Sequence, residues 1–364
     1  MSVLGALLSI VVTAARAASP CVSKVVVRAP ASYAPTVAQA RALVCDSLAS
    51  RIPGLQVAVA IDGRVVWVEA FGWADRERRR QVNGNTMFRI GSVSKPLTAD
   101  AVAQLVAQGR LDLDLPVQRY APSFPEKPWP ITTRELAGHL AGIRHYRGAE
   151  FTSNRRYATV TAGLAIFKDD SLLFPPGTRF SYSTYGWNLI SAVVEGASGE
   201  DFLAYMSRHV IRPLGLRHTA PDRADSVIPE RTTFYEADST GTIAVAPTVD
   251  NSYKWAGGGF LSTAEDLVRF GSAHLKPGWL SAQSLDLLFT PQHTSDGRAT
   301  EYGVGWFVAT DSLGHRIVYH GGGSVGGTTG FIVDRDAGIV FAVVTNLTNA
   351  PLGPARRIPV MFER

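Results

Sequence analysis

The chain has 364 residues, of which 46% are hydrophobic and 18% charged, with a formal net charge of +5 at pH 7. That length makes one large domain or two modest ones around a sizeable core. The densest basic cluster is Arg76, Arg78, Arg79 and Arg80, interrupted by Glu77. It reads as a solvated turn rather than a nucleic-acid site, and zinc-ligand spacing, a Walker loop and a dinucleotide-binding glycine pattern are all missing from the sequence.

Val3 to Ala14 is apolar but short for a membrane span, and Ala15-Arg16-Ala17 places small residues where a signal peptidase reads. Residues 1–17 are therefore expected to be a signal peptide cleaved after Ala17. The mature chain, 18–364, is expected as a single catalytic domain in the periplasm or outside the cell. The only two cysteines, Cys21 and Cys45, lie near its start. They form either a disulfide tying the tail to the first helix or two partly buried thiols.

A helix is expected over Thr36 to Ala49. Leu55 to Ile61 and Val65 to Ala70 are β-rich and flank Asp62-Gly63, the signature of a tight hairpin. Next comes Phe88-Arg89-Ile90-Gly91-Ser92-Val93-Ser94-Lys95-Pro96-Leu97-Thr98. Leu97, Ala101, Val102, Leu105 and Val106 recur at helical spacing, and Pro96 is tolerated only near a first turn, so a helix begins close to Ser92. Positions i and i+3 share a helix face, which brings Ser92 Oγ toward Lys95 Nζ. A serine becomes a nucleophile when a neighbour accepts its proton, and a lysine does so when burial or another cation lowers its pKa.

From about Leu111 to Thr248 short helices are expected, such as Thr133 to Ala141 and Gly186 to Gly196. Leu261 to Ala273 reads as a helix capped by Ser262 or Thr263. Strands are expected over Tyr302 to Ala309, His315 to His320, Thr329 to Asp334 and Ile339 to Thr345. The fold class is α+β, an α/β sandwich: one antiparallel sheet built from both chain ends (about 35–110 and 250–346) and flanked by helices, with a mainly helical insertion at about 111–249. In the tail, 347–364, Pro351, Pro354 and Pro359 argue against a final helix.

Two further segments suit acyl transfer. Tyr182, in Phe180-Ser181-Tyr182-Ser183-Thr184-Tyr185, stands at a loop-to-helix junction, where surrounding cations would let it act as a base; Tyr185 competes for that place. His320, before Gly321-Gly322-Gly323, is expected to end a strand, and the glycines let substrate backbone approach. A free N–H at Gly323 could pair with that of Ser92 as an oxyanion hole.

Ser92-Val93-Ser94-Lys95, Tyr182-Ser183-Thr184 and His320-Gly321-Gly322, in this order, resemble the three motifs of the serine β-lactamase and penicillin-binding superfamily, in the branch of class C β-lactamases, DD-peptidases and related esterases. Leu111–Val117, His139–Tyr146 and Val249–Thr263 are similar to the mitochondrial serine β-lactamase-like branch of animals, and the export signal implies a bacterial relative. The resemblance covers roughly residues 35 to 346. It implies a serine hydrolase, without metal or cofactor, that works through an acyl-enzyme on a peptide, amide or ester. Ser92 would attack, Lys95 would hold or take its proton, and Tyr182 would be the base for acylation and the acid for the leaving group. His320 would stand where many relatives place lysine, polarising the site or meeting a substrate carboxylate. The N–H groups of Ser92 and Gly323 would stabilise the oxyanion, and Gly322 and Thr184 would contact substrate. Thr184 replaces the asparagine of class C enzymes, so efficient β-lactam hydrolysis is not expected. His320 is expected to recognise anionic substrates more strongly as pH falls. The alternative reading is a catalytically weak penicillin-binding or assembly protein on the same fold. The expected partner is a small-molecule or peptide substrate, with no nucleic acid and no stable membrane span; homo-oligomerisation is left open.

Overall fold

The computed structural model describes residues 21–363; the expected signal peptide, 1–17, lies outside them. Gly54–Ile61 (β2) and Arg64–Asp75 (β3) form the hairpin, and its turn residues Asp62 and Gly63 have φ values of 50° and 80°. Two successive left-handed residues match the twist of the strands they join. Ser23–Val27 (β1) pairs with the far side of β3. From the other end of the chain, Phe307–Thr310 (β4), Arg316–Ser324 (β5), Gly327–Asp334 (β6) and Ile339–Thr345 (β7) form a meander. β7 pairs with β2, from Ile339 opposite Ile61 to Thr345 opposite Leu55. The sheet order is β1-β3-β2-β7-β6-β5-β4, antiparallel throughout, and the short strand Arg80–Gln81 adds to β3.

Helices cover both faces, which gives the expected α+β class. β2 is an almost unbroken apolar run because both of its faces are buried. Ala58 and Ala60 face an inner core, while Leu55, Val57 and Val59 face an outer one. Ala34–Val44 (α1), prolonged by a wide turn to Ala49, belongs to the outer core. Ser94–Ala107 (α2) and Ala264–Ser272 (α5) belong to the inner core, where α5 lies against β2, β3 and β7. Thr133–Ala137 (α3) and Thr184–Ser198 (α4) come from the insertion. Among the described residues no helix is long and apolar enough to cross a membrane.

Several boundaries differ from expectation for physical reasons. α3 stops at Ala137 because His139 adopts φ 62°, which turns the chain toward the site. α4 is longer than expected: the Ser183 side chain caps it by accepting from Gly186 N, and Gly199 at φ 69° ends it. α5 starts only at Ala264, capped by Thr263, because Phe260–Ser262 is a strand. β4 begins at Phe307, and Tyr302 is instead buried as a single side chain. β5 does not end at His320 but continues through the three glycines to Ser324.

The tail also departs from expectation. It forms one turn at Gly353–Arg357 and a short helix at Ile358–Met361 (α6); Pro351 precedes the turn, and Pro354 and Pro359 take first-turn positions, where a missing N–H costs nothing. Ile358 and Phe362 are buried in the outer core, and Phe362 stacks on Trp67 at 6.2 Å.

Cys21 and Cys45 form a disulfide that ties the segment before β1 to the end of α1. It closes a loop with a sequence separation of 24. The paired substitutions Cys21→Ser and Cys45→Ser should therefore lower stability by about 3 kcal/mol in equilibrium denaturation; an unchanged midpoint would show that the outer layer holds without the bridge.

Candidate active site

Ser92 sits in the turn Gly91–Val93 that leads into α2. Gly91 has φ 51°, and a Cβ there would come within 2.5 Å of Gly323 O, so the turn presses directly on β5. Ser94 pins it: its Oγ donates to Gly91 O at 2.7 Å and accepts from Phe260 N at 3.2 Å. Ser92 itself remains partly exposed, whereas Lys95, one residue past Ser94, has no exposed surface.

Lys95 Nζ is within hydrogen-bond distance of Ser92 Oγ (3.0 Å), Gly257 O (2.7 Å) and Thr184 Oγ1 (3.2 Å); as an ammonium it donates to all three, and as an amine it donates to two and can accept from a hydroxyl. It also lies 4.8 Å from the centre of the Tyr182 ring. None of these partners is a carboxylate. Burial holds the lysine well below its ordinary pKa, and the positive charge of Lys254 adds to the effect. The site thus favours the neutral amine, the form that can accept a serine proton.

Tyr182 is half-buried with its hydroxyl out of solvent, and this desolvation raises its pKa. Among the described residues its hydroxyl makes no hydrogen bond, yet Ser92 lies near enough to favour the ionised form. The lowered pKa expected for a tyrosine base is therefore not found; Tyr182 is a phenol that can relay a proton but does not rest as phenolate. Tyr185 is occupied elsewhere, its hydroxyl donating to Glu150 Oε2 at 2.9 Å, so it does not compete with Tyr182; Tyr146 is the tyrosine that lines the Ser92 cavity.

The N–H groups at the start of α4 are held by two imidazoles. Ser183 N donates to His139 Nδ1 and Thr184 N to His145 Nδ1, each at 3.1 Å. Burial, followed by the charge of Lys95, lowers both histidines, His145 to about 4.

His320 is 2% exposed and points inward. Its Nδ1 faces Gly321 O at 2.6 Å, which only accepts, so Nδ1 carries the proton and Nε2 accepts from the Tyr302 hydroxyl at 3.0 Å. Burial, then Lys95, push its pKa to about 3. Burial therefore disfavours the imidazolium on which the expected anion recognition at falling pH depends.

Gly322 has a steric reason. A Cβ there would lie 1.9 Å from Ile90 O. β4 pairs only with Arg316 to Tyr319 of β5, so the edge of β5 beyond His320 is free where it meets the Ser92 turn. Gly323 and Ser92 both line a cavity of about 240 Å³, together with His145, Tyr146, Thr184 and Lys254. A larger cavity of about 1230 Å³, between Val106–Leu115 and Ser284–Gln292, contains none of the predicted groups.

Lys254 was not assigned a role from sequence, although its run Tyr253-Lys254-Trp255-Ala256-Gly257-Gly258 places a lone cation among apolar residues. It is 2% exposed and faces Phe151 and Tyr253 at 4.8 and 5.1 Å. Burial, then Arg89, bring its pKa to about 7, with Asp222 opposing. Asp222 in turn accepts from Arg89 at 2.6 Å and Asn251 at 2.7 Å.

The family described as Beta-lactamase matches residues 38–363. The mitochondrial serine beta-lactamase-like protein LACTB of Bos taurus is 31% identical over 86% of this chain and 76% of its own. Esterase EstB of Burkholderia gladioli is 29% identical over 81% of this chain and 86% of its own. Among solved structures, a D-stereospecific amidohydrolase from Streptomyces sp. aligns with a TM-score of 0.74 at 26% identity, covering 90% of this chain and 98% of that one.

The close packing at Gly322 is directly testable. Gly322→Ala must push β5 away from Ile90, and an overpacking cost of about 1–3 kcal/mol is expected. Thermal unfolding measures it; an unchanged melting temperature would show that β5 yields freely.

Proposed function

Because this chain belongs to the beta-lactamase family, we propose that it is a serine hydrolase acting on an amide, peptide or ester through an acyl-enzyme. The observation that carries the reading is the 3.0 Å contact between Ser92 Oγ and a lysine with no exposed surface. Ser92 Oγ attacks the carbonyl carbon as its proton passes to neutral Lys95 Nζ. The N–H groups of Ser92 and Gly323 take the oxyanion, where loss of one donor costs about 3–4 kcal/mol. The leaving group receives a proton from the Tyr182 hydroxyl, which is refilled from Lys95. Water then reverses the sequence and frees the acid. Relatives named as an esterase and an amidohydrolase support both ester and amide substrates. Export is part of the proposal, supported by the apolar stretch at Val3–Ala14 and by a disulfide suited to an oxidising compartment.

The first test is intact mass after incubation with an activated ester and, separately, with a β-lactam. Wild-type protein should gain the acyl group from the ester, and Ser92→Ala should gain nothing. An equal adduct on the variant would move the nucleophile elsewhere, and an adduct that never decays would favour a penicillin-binding role.

The pH profile tests the base. Protonated Lys95 cannot accept a proton, so kcat/KM should rise with pH through the depressed lysine pKa. Lys254→Met removes a like charge, raises the Lys95 pKa and should move the acid limb to higher pH. A limb that stays in place would separate the two lysines.

A further inference from the structure

The outer layer leaves part of the sheet open. α1 and the C-terminal turns pack over β2, β3 and β7. The same face of β5 and β6 borders a cavity of about 620 Å³ that is closed on its other side by Ala350 and Leu352–Arg356. This volume falls in the range of small-molecule sites, about 300–1,000 Å³. Strand alternation decides its lining. Tyr319 and Gly321, paired with Ile332 and Gly330 of β6, face the cavity, and the buried His320 and Gly322 border it from the positions between. Ile317, Phe341, Val343 and Leu352 extend the apolar wall, and no carboxylate lines it. Gly321 hollows the floor: a Cβ there would meet nothing nearer than Thr329 O at 3.9 Å.

One end carries two unused donors. Arg356 is exposed and makes no side-chain hydrogen bond or ion pair among the described residues, and the Tyr319 hydroxyl likewise has no hydrogen-bond partner there. The two are neighbours: burial and Glu301 raise the Tyr319 pKa, and the Arg356 charge opposes them. Apolar walls that end in a free guanidinium and a phenol suit an alkyl chain with an anionic head, because a guanidinium pairs with a carboxylate in a forked geometry. We propose that this cavity binds a single-chain carboxylate amphiphile, with its chain against Ile332 and Phe341 and its head on Arg356 and Tyr319. The bound chain would touch β5 at Gly321, two residues before Gly323 at the catalytic cavity.

The test is calorimetric titration of full-length Ser92→Ala protein with dodecanoate below its micelle concentration. One saturable site is expected. Arg356→Glu should weaken it at least about tenfold, the equivalent of about 1.4 kcal/mol. Gly321→Leu should abolish it by filling the cavity, and Lys254→Met should leave it unchanged. Arg356 is exposed, so its replacement tests the head contact even if Gly321→Leu disturbs folding. Absence of a saturable site, equal affinity for dodecyltrimethylammonium, or loss of binding in Lys254→Met would each overturn the proposal, the last by placing the ligand in the catalytic cavity.

Discussion

Burying an ammonium costs several kcal/mol unless it is paired, and Lys95 is buried completely with no carboxylate among its hydrogen-bond partners in the described residues. A carbonyl, two hydroxyls and an aromatic face receive it instead. Those acceptors would match an ammonium's three donors, so it is burial, and then the second buried cation, Lys254, that move the balance toward the amine. Much of the site follows from this. Burial, the first cause at His139, His145 and His320, lowers all three, and any charge on Lys95 would lower them further. The site therefore works with uncharged donors and acceptors, and charge appears only when a proton moves.

A second constraint is steric. The serine turn and β5 approach until backbone meets backbone, which only glycine at 91 and 322 permits. That contact sets the height of the free edge of β5 against Ser92. The segment from Asn251 to Gly259 closes the other side, and it is held by the buried Arg89–Asp222–Asn251 cluster. Gly257 supplies the carbonyl to Lys95 from that segment. Site geometry is thus shared among elements from residue 91 to residue 324.

Much of this was legible beforehand because it is local. The hairpin at Asp62-Gly63 is turn chemistry, and the Ser92–Lys95 contact is helix periodicity. Strand runs at the two chain ends carried the sheet. The misreadings were of long range. His320 reads as the end of a strand, but pairing with β6 carries the strand on through the glycines. Prolines in the tail read as helix breakers, but helical first turns accept them. Lys254 was passed over because a lysine in an apolar run gains meaning only when its neighbours in space are known.

The sequence by itself determined the order of secondary elements, the α+β class and the three segments that meet at the site, since these depend on spacing and residue type along the chain. Protonation states were decided only by the tertiary structure. Tyr182 rests as a phenol, His320 as a neutral imidazole and Lys95 as a favoured amine because of what is buried around them. Desolvation and through-space charge come from residues far apart in the chain, and no local pattern encodes them.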